Sequence, residues 1–165
     1  GRRVVISFFV PGVPIPKGST RAFYNKVLGR AIITAANSKT RPWEQAIRAE
    51  AKIAGCAPTL EPVEVLATFY LPRPKGHFGK AGTLRPSAPL AHDKKPDIDK
   101  LLRALLDGLT GEAFVDDAQV VAAGVTKQYA NSRPGVSVRI IAAPAVGSAP
   151  SKASLPGSRS SGGDA

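Results

Sequence analysis

Between Ile98 and Leu109 the residues Leu101, Leu102, Leu105, Leu106 and Leu109 recur at i, i+1, i+4, i+5 and i+8. That spacing draws one apolar stripe along a helix, and such a helix must lie against an apolar layer. The layer is legible elsewhere in the chain. Val63, Val65, Ala67, Phe69 and Leu71 alternate with Glu64, Leu66, Thr68 and Tyr70, which is the period of a strand with one buried face. Residues 4–10 are β-branched and aromatic and stop at Pro11-Gly12, so they read as another strand. Ala118 to Gln128 and Val136 to Ile141 read as two further strands, with a hairpin signal near Asn131 to Gly135. A first helix opens at Arg41-Pro42-Trp43-Glu44 and closes at Gly55, with Trp43, Ala46, Ile47, Ala51 and Ala54 at roughly helical spacing. The order is β-α-β-α-β-β, an α+β single domain with two helices on a mixed sheet.

The chain's 165 residues suit one domain. Residues 1–143 are assigned to it, and residues 144–165, where 17 of 22 are Gly, Pro, Ser or Ala, are expected to be a disordered tail. Residues 11–40, broken by Pro14, Pro16 and Gly18, and residues 72–95 are expected to be basic loops.

Charge narrows the partner. Lys and Arg number 23 against 12 Asp and Glu, a net +11, which points to a polyanion, nucleic acid first and an anionic membrane surface second. Eight cations precede the first acid, Glu44, and a second acid-free stretch from Leu66 to His92 runs into Lys94 and Lys95. Seven of the twelve acids nevertheless fall between Asp93 and Asp117. Carboxylates set inside a cationic surface need a job other than binding phosphate. No apolar run approaches the ~20 residues of a membrane-spanning helix. A lone Cys56 rules out a disulfide framework and a Cys-based zinc site, and no secretion signal is legible, so an intracellular, cytoplasmic protein is expected. The stretch Gly79-Lys80-Ala81-Gly82-Thr83 lacks Walker spacing, so no nucleotide cofactor is expected. Trp43 is expected in the core, His77 and His92 facing DNA or solvent, and Cys56 as an ordinary thiol.

The sharpest pattern is Lys95-Pro96-Asp97-Ile98-Asp99, then the helix, then Asp116-Asp117. In extended chain Asp97 and Asp99 would point to one side, and two such carboxylates repel unless a cation stands between them. Mg²⁺ takes oxygen ligands of this kind, and Asp117 could close the site. That set suits phosphodiester hydrolysis. Against it stands a plainer reading in which Asp99 caps the helix and Asp97 is solvated. Arg103 is either an i,i+4 partner of Asp99 and Asp107 or a cation reaching the scissile phosphate.

These residues resemble the RusA-like crossover-junction endodeoxyribonucleases of phages and prophages. The family signature is Pro-Asp-x-Asp-Asn-Leu-x-Lys, then Asp-x-Leu-Thr, then Asp-Asp-x-Gln-Val. Here it reads Pro96-Asp97-Ile98-Asp99-Lys100-Leu101-Leu102-Arg103, Asp107-Gly108-Leu109-Thr110 and Asp116-Asp117-Ala118-Gln119-Val120. The resemblance implies essential aspartates at Asp97, Asp99 and Asp117, Mg²⁺ as the metal, a four-way DNA junction as substrate, roles in recombination and repair, and a homodimer. Two departures stand out, Lys100 for Asn and Arg103 for a functional Lys. Arginine keeps the charge but cannot give up a proton at working pH. Lys17, Arg21, Lys94, Lys95 and Lys100 are expected to contact DNA. A non-catalytic basic DNA-binding protein is the alternative.

Overall fold

In the computed structural model the described residues are 3–18, 21–25, 29–34 and 38–143. The strands are β1 (Val4–Pro11), β2 (Arg21–Asn25), β3 (Arg30–Thr34), β4 (Val63–Leu71), β5 (Val120–Tyr129) and β6 (Gly135–Ala142). The helices are α1 (Thr40–Ile53) and α2 (Ile98–Leu109), with short 3₁₀ turns at Lys75–His77 and Asp117–Gln119. The α+β class and the two helices are as the sequence implies. The order differs in one respect: the segment expected to be a basic loop carries a β2–β3 hairpin, Arg21 opposite Thr34 through Asn25 opposite Arg30. Its short β-formers Ala22-Phe23-Tyr24 and Ala31-Ile32-Ile33 turn at Gly29, whose φ of 63° suits glycine. The tail at 144–165 lies outside the described residues.

The main sheet runs β1-β6-β4-β5, antiparallel except for β4 and β5, which are parallel, so β4 stands between β5 and β6 and the hairpin expected near Asn131 to Gly135 does not form. Parallel neighbours need a crossover, and the segment from Pro72 to Gln119, with α2 in it, supplies one. The alternation in β4 is realised: Val63, Val65, Ala67, Phe69 and Leu71 are all buried. They meet Val136, Val138 and Ile140 of β6, Trp43, Ile47 and Ala51 of α1, and Leu101, Leu105 and Leu109 of α2 in one core. Burying each such leucine contributes about 1.5–3 kcal/mol. Both helices cover the same face of the sheet.

The α2 stripe is rotated slightly from the leucine pattern. Leu101, Ala104, Leu105, Gly108 and Leu109 are buried, while Leu102 and Leu106 are only half-buried. Gly108 shows why, because a Cβ there would stand 3.0 Å from Ile47 Cβ and 3.2 Å from the Glu44 carbonyl. The two helices cross at this glycine.

Candidate active site at the two ends of α2

The structure replaces the extended Asp97-x-Asp99 arrangement with a helix start. Asp97 is the N-cap residue, with φ −70° and ψ 142°, and Asp99 lies in the first turn. A capping aspartate normally accepts from a backbone N–H of that turn. Asp97 makes no such bond, and its carboxylate meets only Lys100 Nζ, at 3.5 Å. Asp99 is exposed and, among the described residues, has no ion-pair or hydrogen-bond partner. Of the plainer reading, the Asp99 cap therefore fails, whereas Asp97 is exposed as that reading has it.

What fixes this helix start is backbone and a distant lysine. Leu101 N donates to Asp97 O at 3.1 Å, and Lys17 N to Lys100 O at 3.0 Å. Lys127 of β5 donates through Nζ to the carbonyls of Lys94 at 2.5 Å and Pro96 at 2.9 Å. The Lys95-Pro96 peptide is cis.

Two residues further along β5, Tyr129 anchors the rest of the 72–95 segment. The Arg73 guanidinium lies 4.3 Å above its ring, and the rings of His77 and His92 stand 5.3 Å and 4.7 Å away. Arg73 also donates to the Pro89 carbonyl at 2.7 Å. His92 is buried, contrary to the expectation of a DNA-facing or exposed ring, because Tyr129 gives it an aromatic face to pack on. Burial, assisted by the Lys127 charge, pushes its imidazole pKa below the ordinary histidine value. Trp43 is in the core as expected. Cys56 is a half-buried thiol whose pKa burial raises.

The other end of α2 is organised differently. Asp116 accepts from Ala118 N at 2.8 Å while Asp116 N donates to Gln119 Oε1 at 2.8 Å, a complete capping box. Gln119 Nε2 then donates to the carbonyls of Thr59 and Glu61 at 2.8 and 2.9 Å. This accounts physically for the Asp-Asp-x-Gln spacing: one acid and the glutamine build the turn that presents Asp117. The Asp117 carboxyl is pushed above the ordinary aspartate pKa, first by a hydrogen bond with Asp116, and also by the negative charges of Asp116 and Asp107. Carboxyls that raise one another's proton affinity are relieved by a proton or by a hard cation.

Asp107 is a neighbour that sequence reasoning did not place in the site. The signal was its position on one α2 face with Asp99 and Arg103. Its carboxylate takes Lys17 Nζ at 3.0 Å, and the same ammonium reaches Glu44 of α1 at 3.0 Å. Lys17, expected on DNA, is thus held between two carboxylates that raise its pKa. Arg103 is exposed and has no ion-pair or hydrogen-bond partner among the described residues. This removes the reading in which it pairs with Asp99 and Asp107. Lys94 and Lys95 are exposed. The Arg21 side chain lies outside what the structure describes.

The predicted trio does not form one group: Asp97 and Asp99 sit at the amino end of α2, while Asp117 feels the charge of Asp107, which lies eight residues, about 12 Å of helix rise, beyond Asp99. Among the described residues no three His, Cys, Asp or Glu side chains form a group able to hold a metal ion. No helix there is long and apolar enough to cross a membrane.

The amino end of α2 thus presents Asp97, Asp99 and the unpartnered Arg103, with Lys94 and Lys95 exposed nearby in sequence. In comparison with protein families, residues 11–141 match the family described as endodeoxyribonuclease RusA. The chain belongs to the RusA endodeoxyribonuclease family. No curated protein matches it.

Proposed function

We propose that this chain is a Mg²⁺-dependent endodeoxyribonuclease that resolves Holliday junctions, or closely related branched DNA, during recombination and repair. The observation that carries the reading is Asp97, a helix N-cap whose carboxylate is left off the cap and beside an unpartnered Asp99. Asp97, Asp99 and Asp117 would hold the ion, which supplies an activated water and charge neutralisation at the phosphate. Arg103, one turn beyond Asp99, would clamp the scissile phosphate as a permanent cation. Lys94 and Lys95 bind flanking phosphates, and Lys100 moderates the charge of Asp97 at 3.5 Å.

The working unit in this reading is a two-fold homodimer. A junction needs two symmetric nicks. In this reading the Asp117 of a second copy completes the set with the Asp97 and Asp99 of this chain. Cleavage of a labelled four-way junction with Mg²⁺ and with EDTA tests the function. Paired nicks that need Mg²⁺ support it, and tight binding without cleavage identifies the non-catalytic alternative.

A further inference from the structure

We infer that Lys127 is a positioning residue for this chemistry, one that holds the chain segment delivering Asp97. The inference rests on the nuclease reading for its effect on rate, and on the structure alone for the anchor. Lys127 lies opposite Phe69 in the β4–β5 register, on the face of the sheet that the helices cover. A lysine there is tolerated only if its stem lies on apolar surface and its ammonium finds acceptors. It finds two, the carbonyls of Lys94 and Pro96 at 2.5 and 2.9 Å, across separations of 33 and 31 residues. Charge-assisted bonds of this kind are about twice as strong as neutral ones.

The bonded carbonyls flank Lys95 and end immediately before Asp97. Position matters here because Asp97 lacks what usually fixes an N-cap: its side chain makes no bond to the first turn. A carboxylate free to meet a cation is also free to wander, unless its backbone is held from elsewhere. Lys127 does that holding from β5, the edge strand that pairs with β4. The sequence gives no hint of it, because a lysine in Val125-Thr126-Lys127-Gln128-Tyr129 looks like any solvent-facing strand residue.

The test compares wild type with Lys127→Met and Lys127→Arg. Methionine keeps the stem and removes every donor, whereas arginine restores donors and charge. Supporting partners of metal ligands typically change activity 10–100-fold, so Lys127→Met should lose about that factor in single-turnover cleavage at saturating enzyme while junction affinity stays within about threefold. Lys127→Arg should recover most of the loss. Hydrogen exchange, read without metal or DNA, should show the Leu101 amide of Lys127→Met exchanging at least about tenfold faster, with α1 and β4 amides unchanged. Unchanged exchange at Leu101 overturns the anchor whatever the activity. Faster exchange with an undiminished cleavage rate overturns its role in the reaction. A wild-type chain that cuts no junction in Mg²⁺ fails the nuclease reading instead, and exchange then decides the anchor by itself. Should Lys127→Met not fold, the arginine variant carries the test: a loss of cleavage as large as that of Asp97→Asn contradicts the inference.

Discussion

The two ends of α2 carry carboxylates of the same type and treat them in opposite ways. At the carboxy end Asp107 is paired with Lys17, and Asp116 is consumed by a capping box, which together frame Asp117. At the amino end Asp97 and Asp99 are left nearly uncommitted, although an aspartate at a helix start has a cap bond within easy reach. In the proposed reading this contrast separates the amino-end acids, whose local bonds are left unmade, from acids that serve the fold. Structural acids are recognisable because their bonds are already made.

The largest effect should separate these ends. Asp97→Asn, Asp99→Asn and Asp117→Asn are each expected to lower junction cleavage by about 1,000-fold or more, with binding equal or tighter as negative charge leaves a cationic surface. Asp116→Asn, in which asparagine can keep the cap, should stay within about tenfold of wild type. Quantitative cleavage beside gel-shift affinity reads both, and a strongly impaired Asp116→Asn would erase the distinction between framing and functional acids.

Arg103 comes next. As an unpartnered cation it should leave the melting temperature of Arg103→Ala unchanged while cleavage falls about 100-fold, and Arg103→Lys should restore most of the rate. A drop in melting temperature without a rate change would return it to a structural role.

Lys17 and Lys94 sharpen the contrast from the cationic side. Losing Lys17 removes a partly exposed bridge between α1 and α2, so Lys17→Met should cost about 1 kcal/mol or less in denaturant unfolding. Neutralising Lys94 or Lys95 should leave stability alone and reduce the slope of log affinity against log salt by about 0.9 for each lost contact on duplex arms.

The smallest effect is the titration of His92. Its pKa is depressed in the fold, so the unfolded chain takes up a proton first as pH falls below the ordinary histidine value near 6.5. Stability should therefore rise with pH across that window, up to the unfolded-state pKa. His92→Phe should flatten the rise in melting temperature, and an identical profile in both proteins would show that another group titrates.

Much of the fold was legible. The bounds of α2 and β4 follow directly from their periodicity, since burial on one face leaves a clean pattern in sequence. The β2–β3 hairpin was hidden by the prolines before it, and its strands are too short to show a period. In β5 the start shifts from Ala118 to Val120 because the Asp116–Gln119 capping box claims the residues between. For the site, residue types were readable but their spatial grouping was not. Spacing along the chain places Asp97 beside Asp99, yet cannot show that Asp117 comes within reach of the Asp107 charge, that Lys17 is claimed by Glu44 and Asp107, or that Lys127 reaches the Asp97 turn.

If the two ends of α2 serve one reaction only across a pair of chains, complementation is the most direct test. Asp99→Asn and Asp117→Asn chains, each inactive alone, are mixed under conditions that exchange subunits and assayed for nicking of a four-way junction in Mg²⁺. A mixed dimer would retain one intact set, the Asp97 and Asp99 of one chain with the Asp117 of the other. The expected result is recovered nicking on one strand at a substantial fraction of the wild-type rate. A mixture as inactive as its parents, with mixed dimers shown to form, would contradict a site shared between chains.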